Sequence, residues 1–224
     1  SAVAGTAALM PVRSVPGMAS VAAAQDGKLF APSAARNSGA ICDLLADVAP
    51  PRGRALELAS GTGQHVTAYA ARLPGLMWQP SEVEETRRAS IRSHAEEAGL
   101  ANVAPPVDLD ATAPGWGTDH SGQDLIVLVN LLHLISEGEA RTLIREAATA
   151  LAPGGRFLVY GPFMRAGELI SEGDRAFHAS LTAHDPETGY KDDFDVIDWL
   201  HAAGLDLLQA VEMPANNLAL VSRK

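Results

Sequence analysis

Three features of this chain are spaced as the edges of a nucleoside site. Ser60-Gly61-Thr62-Gly63-Gln64-His65 follows the short apolar run Ala55-Leu56-Glu57-Leu58-Ala59. Glycines let the backbone turn tightly and let a ligand approach. A helix that starts there offers free N–H groups and the positive end of its dipole to an anionic group. Glu82 closes the next apolar run, Leu76 to Gln79, at about the 20-residue distance where a carboxylate accepts bonds from two ribose hydroxyls. Asp110 ends the segment Val107-Asp108-Leu109-Asp110, placed for the exocyclic amine of an adenine. The glycine pair alone is an ordinary turn, and each acid alone an ordinary loop charge. Three such features in register at strand ends define an adenosine site.

The residues around the glycines narrow the choice of cofactor. A dinucleotide fingerprint wants a third small residue three positions after its second glycine, and Val66 stands there. No Gly-Lys-Ser/Thr continuation follows, so the loop is not a phosphate cradle. Glu57, four residues before Gly61, would repel phosphate but suits an ammonium or a sulfonium. The balance favours S-adenosylmethionine over NAD or ATP.

These positions need a scaffold that brings strand ends together. Ile41, Leu44, Leu45 and Val48 recur at helical spacing before Pro50-Pro51, and Arg36 and Asn37 are expected to precede that first helix. Strands are expected at Ala55–Ala59, Leu76–Gln79, Val103–Leu109, Asp124–Leu132 and Arg156–Tyr160, with helices over 83–98 and 137–151 between them. Pro105-Pro106 pushes the third strand towards a sheet edge. Such alternation with near-continuous apolar strands predicts a parallel sheet covered on both faces. After helices near 168–183 and 193–203, Leu205–Met213 and Leu218–Val221 read as strands joined by Pro214-Ala215-Asn216-Asn217. That link is too short for a parallel crossover, so the last pair is antiparallel.

Composition limits the partners. Lys and Arg number 17 against 27 Asp and Glu, a net charge of −10 over 224 residues. Binding through many phosphates depends on Lys and Arg, so nucleic acid is not an expected partner. The longest apolar stretch, Leu125 to Ile135, is 11 residues, where a membrane span needs about 20. The single Cys42 removes intrachain disulfides and multi-thiolate metal clusters, and no histidine pair has the spacing of a hydrolytic zinc site. A soluble, cytoplasmic protein without a metal is expected. Residues 1–27, rich in Ala, Ser and Val, read as an N-terminal extension to a domain over 28–224; they lack the basic start and continuous apolar centre of a secretory signal.

Glu57-Leu-Ala-Ser-Gly-Thr-Gly63, Glu82, Asp110 and Leu151-Ala-Pro-Gly-Gly155 resemble the motif series of class I S-adenosylmethionine-dependent methyltransferases. More narrowly, the chain resembles the methyltransferase-like 26 family, long catalogued as a domain of unknown function. Ala31-Pro-Ser-Ala-Ala-Arg36-Asn37, Ser60 to His65, Trp78-Gln-Pro-Ser81, Tyr160-Gly-Pro-Phe163 and Met213-Pro-Ala-Asn-Asn-Leu218 carry that likeness. It departs at Glu82, where the family usually has Asp, and in the apolar pair of Asn130-Leu-Leu-His133. The resemblance implies an α/β, class I methyltransferase (Rossmann-like) three-layer sandwich. Its sheet would be mostly parallel and seven-stranded, ending in an antiparallel hairpin.

The resemblance also implies roles. Arg36, Asn37, Glu57, Ser60, Gly61, Thr62, Gly63, His65, Glu82, Asp110, Ala111, Asn130 and Leu131 would line S-adenosylmethionine. Arg36 suits a carboxylate through two parallel bonds, with a plain surface arginine as the alternative. His133, at the mouth of the central strand, is the candidate base; a histidine that bonds a neighbouring loop carbonyl fits equally well. Tyr160 leaves the fifth strand beside it. Phe163, His184, Tyr190, Asn216 and Asn217 are the candidate acceptor contacts, although an aromatic residue at a strand end is core as often and Asn favours turns. Methyl transfer to an S, N or O nucleophile of a small molecule is the expected activity, and a homodimer is compatible with it. The rivals are a cofactor-binding partner protein without catalysis and a nicotinamide-dependent oxidoreductase.

Overall fold

In the computed structural model, which describes residues 22, 23 and 25–224, a two-residue ladder joins β1 (Ala22–Ala23) to β2 (Leu29–Phe30). The expected extension lies for the most part outside the described residues. The main sheet contains β3 (Gly53–Leu58), β4 (Leu76–Pro80), β5 (Gln123–Val129), β6 (Leu151–Pro162), β7 (Asp206–Glu212) and β8 (Asn217–Arg223). Their order is β4-β3-β5-β6-β8-β7. The first four are mutually parallel, and β8 runs antiparallel between β6 and β7. The chain order reverses at β3, whose neighbours are β4 and β5, so a crevice opens beyond its carboxyl end.

Burial on both faces explains why β5 carries no alternation. Leu125 and Val127 pack on one side with α1 (Pro32–Val48), α2 (Gln64–Arg72) and Ile91 of α3 (Glu85–Glu97). Ile126 and Leu128 pack on the other with α4 (Trp116–Asp119), α5 (Glu137–Ala150) and α7 (Asp193–Ala202). The three layers and the antiparallel end agree with the sequence. α6 (Glu172–His184) stands apart, since Leu181 is its one buried side chain.

Two expectations change. The third parallel strand does not form a ladder: Val103 and Val107 make isolated parallel bridges to Trp78 and Ser81, leaving six hydrogen-bonded strands in the sheet. Pro105 and Pro106 between them have no N–H to donate. Arg36 and Asn37 lie within the first helix, not ahead of it. α1 opens at Pro32, whose fixed φ suits a first helical position, and Ala34 and Asn37 extend the buried face that Ile41 continues. The amide of Ala31 donates to Gln64 Oε1 at 2.7 Å, tying the start of α1 to the start of α2.

α5 buttresses the ends of β5 and β6 and is closed by a capping box. Ser136 Oγ accepts from Glu139 N at 3.1 Å, and Glu139 Oε1 accepts from Ser136 N at 3.0 Å. We expect Ser136→Ala to lower the unfolding free energy by about 1 kcal/mol, read as a drop in urea midpoint at unchanged slope.

Candidate functional site

The carboxyl ends of β3 and β4 are stitched together by side chains. Ser60 N donates to the Ser81 carbonyl (2.8 Å), Ser81 N to Ser60 Oγ (3.0 Å), and Ser81 Oγ to the Glu57 carbonyl (2.7 Å). Glu82, buried at 4% exposure, then closes on the glycine loop. Its Oε2 accepts from Gly61 N at 2.9 Å, and its Oε1 from Val83 N at 3.0 Å and Glu84 N at 3.4 Å. Burial raises its pKa; Arg87 and these amides oppose the rise. Arg88 holds the turn by donating to the carbonyls of Glu82 (2.7 Å) and Val83 (2.9 Å).

The two loop glycines do different jobs. At Gly63 (φ +94°) a Cβ would lie 2.7 Å from the Ile91 backbone, so the close approach of α3 requires its absence. At Gly61 (φ +60°) a Cβ would meet nothing within 4 Å, so this side of the loop faces open space. Thr62 Oγ1 donates to Gln64 Oε1 at 2.9 Å, and Ser90 Oγ donates to the Thr62 carbonyl at 2.7 Å. Leu29 N donates in turn to Ser90 Oγ at 2.8 Å, which docks the strap before α1 against the loop.

Beneath the loop lies a row of buried polar groups. Glu57 is 2% exposed, and its Oε1 has no hydrogen-bond partner among the described residues; nor have the hydroxyls of Tyr69 and Tyr160. Burial pushes the Glu57 carboxyl up to about 8; Ser60 opposes the rise and Glu82 adds to it. His65 stacks on Tyr69 with ring centroids 5.6 Å apart and bonds Asn37 Oδ1 at 2.6 Å. Burial lowers its pKa to about 4, so the ring is neutral at pH 7. Burial raises the Tyr160 phenol as well; the amides of Asn37 and Asn217 counter it without a hydrogen bond of good geometry.

The mouth of β5 is aromatic. Asn130 (φ +56°) donates its backbone N–H to the Tyr160 carbonyl at 2.9 Å. His133 is buried, 5.7 Å from the Phe177 ring and 6.2 Å from the Tyr190 ring. Burial, then Lys191, lowers its pKa to about 3. Tyr190 donates its hydroxyl to Asp174 Oδ1 at 2.8 Å and its amide to His178 Nδ1 at 3.0 Å, so this cluster fastens α6.

The structure therefore unites Asn37, Glu57, Ser60 to Gly63, His65, Glu82, Asn130, Tyr160 and Asn217 around the ends of β3, β5 and β6. Other candidates stand elsewhere. Phe163 belongs to the core on the opposite side of the sheet from Tyr160. Ala111 is buried and lends its carbonyl to Trp116 Nε1, and Leu131 packs on the same core. Asp110 is exposed, and its Oδ1 accepts from Thr112 N at 2.9 Å and Thr112 Oγ1 at 2.7 Å. Arg36 and His184 are exposed, and Asn216 sits in the hairpin turn at φ +61°.

Arg165 was not legible in the sequence. It pairs with both carboxylate oxygens of Glu212 (3.1 and 3.0 Å) and donates to the carbonyls of Phe163 (3.0 Å) and Asn216 (3.2 Å), locking the Asn216-Asn217 turn to the end of β6. Forty-seven residues separate Arg165 from Glu212, and no periodicity links them. A cationic nucleoside ligand passes a test of fit here: a buried carboxyl oxygen lacks a partner, and the left-handed Gly61 faces open space.

A parallel sheet with β8 inserted antiparallel between β6 and β7, between two helical layers, defines the Rossmann-like fold of class I methyltransferases. Solved structures of that class superpose on it. An O-methyltransferase family protein from Burkholderia thailandensis matches with a TM-score of 0.72 at 19% identity, over 84% of this chain and 56% of its own. Human N-acetylserotonin methyltransferase in complex with SAM matches with a TM-score of 0.66 at 18% identity, over 84% and 50%. A methyltransferase of calicheamicin biosynthesis, in its SAH-bound form, gives 0.68 at 17% identity, over 85% and 53%. The chain spans about half the length of these structures. Residues 28–224 match the model of DUF938, described as a protein of unknown function, and the chain belongs to that family.

The buried titratable groups oppose one another. His65 stays neutral in the folded chain down to about 4, whereas the unfolded chain takes up its proton near 6.5; that stability is present above about pH 6.5 and lost as pH falls towards 4. Glu57 has the other sign. Its folded value of about 8 exceeds the ordinary 4.5, so its contribution falls as pH rises between the two. We expect the ligand-free Glu57→Gln variant to gain in Tm over the native chain as pH rises from about 5, levelling above about 8. Thermal unfolding from pH 5 to 9 measures this, and a pH-independent difference would contradict it.

Proposed function

We propose that this protein is an S-adenosylmethionine-dependent methyltransferase of the methyltransferase-like 26 kind, acting on a sulfur, nitrogen or oxygen nucleophile of a small molecule in the cytoplasm. The observation that carries the reading is the buried carboxyl of Glu57, one oxygen of which lacks a partner, under a glycine loop whose rim is Glu82. A carboxyl there disfavours phosphates and favours a ligand with positive charge.

Glu82 would take the ribose hydroxyls, and the Gly61 edge the cofactor's approach. Asn37, Asn130 and Glu57 would surround the charged end. S-adenosylmethionine supplies a methyl group already activated by the sulfonium charge. The chain's own contribution is then to align a nucleophile, an effect that can supply roughly 7–11 kcal/mol. The Tyr160 hydroxyl and the Asn37 and Asn217 amides are neutral hydrogen-bonding groups suited to orienting an acceptor. His133, buried and weakly basic, is a poor match for a general base near pH 7. Its aromatic packing suits holding the loop after β5. Several similar structures are of proteins named as O-methyltransferases, which supports an oxygen acceptor first. The net charge of −10 argues against nucleic-acid acceptors.

Isothermal calorimetry with S-adenosylmethionine, S-adenosylhomocysteine and NAD tests the site. The first two should bind and NAD should not; binding of NAD alone overturns the reading. Glu82→Ala should weaken both about tenfold or more, the loss of hydrogen bonds to a charged acceptor. Transfer of a labelled methyl group to a panel of phenols, thiols, amines and carboxylic acids separates an enzyme from a non-catalytic binding partner.

A further inference from the structure

The surroundings of Glu57 go beyond what a cofactor contact requires. Among the described residues, no lysine or arginine acts on this carboxyl. The titratable groups that face it are Glu82 from the turn after β4 and Tyr69 from α2; past Tyr69 lie Cys42 of α1 and Tyr160 of β6. His65, stacked on Tyr69, is neutral. Two carboxyls thus share one loop, and they are not equivalent. Glu82 accepts three backbone N–H bonds, the arrangement that stabilises a carboxylate. Glu57 has an oxygen with none. Where two acids compete in a dry site, the one with fewer donors keeps the proton.

We propose that Glu57 is a charge-sensing, specificity-determining residue: it holds a proton in the free protein and yields it when S-adenosylmethionine binds, so that the site tells the sulfonium from its thioether product. This rests on the methyltransferase reading above and extends it. In the step, the Glu57 O–H bond breaks, the proton passes to solvent, and the carboxylate faces the ligand's positive charge; no electrons change owner. Once the methyl group has left, the sulfur is neutral. Glu57 then recovers a proton from solvent and no longer favours the spent ligand over its replacement. Fixed-charge attraction is strong where water is excluded, so one proton sets the direction of exchange.

Calorimetry of the full chain with S-adenosylmethionine or S-adenosylhomocysteine, at pH 7 in buffers of different ionisation enthalpy, counts protons released. Close to one should leave with the sulfonium and a smaller fraction with the thioether. The affinity for S-adenosylmethionine should rise about tenfold per unit between about pH 6 and 7.5 and flatten above about 8, and its preference over the product should widen across that range. Glu57→Gln, which keeps the shape and removes the proton, should bind both with no such slope. The ligand's own amino group titrates in both proteins, so the difference between them isolates the Glu57 proton; circular dichroism and Tm report that the variant is folded. Proton-silent binding by the native chain, or a slope in Glu57→Gln equal to the native one, overturns the proposal alone. Failure of both compounds to bind overturns the methyltransferase reading and this proposal with it.

Discussion

Pairing of β3 with β4 on one side and β5 on the other is the constraint from which the site follows. It delivers three strand ends to one edge, with α2 and α3 on one face and α4 and α5 on the other, leaving a crevice that only loops can line. The ladder alone would leave those loops free. The bonds among Ser60, Ser81 and the Glu57 carbonyl continue the pairing past the last strand residues, and Glu82 reaches back to Gly61. The loop is thereby pre-shaped, and a ligand need not supply the free energy to order it.

Local chemistry was largely legible. Gly61, Gly63 and Glu82 announced themselves because each serves a backbone or strand-end requirement that a few neighbouring residues reveal. The near-continuous apolar character of β5 gave the parallel sheet, and the short link after Met213 gave the antiparallel end. The third strand was overread: Val103 and Val107 have strand-like side chains, but ladder formation is decided by the N–H groups that Pro105 and Pro106 lack. Phe163 was equally readable as wall or core, and only the side of the sheet it takes just past β6 distinguishes them.

Long-range polar pairing was illegible. Arg165 with Glu212, Ser90 with Leu29, and His65 with Asn37 join segments from 28 to 61 residues apart, with no spacing rule between them. The buried row of Glu57, Tyr69 and Tyr160 belongs to the same class. A sequence shows that Glu57 interrupts an apolar strand; it does not show that its neighbours decline to bond it. Each such group is costly to bury without a partner, and their concentration on one face of the sheet beside the glycine loop marks that face as working surface.

α6 is held by different means. Its hold on the body is one leucine and an aromatic cluster around Tyr190, next to the loop that carries His133. Elements anchored so lightly accept new residues with little penalty to folding. Drift in that helix can therefore remodel the neighbourhood of the β5 mouth while the loops after β3 and β4 stay unchanged.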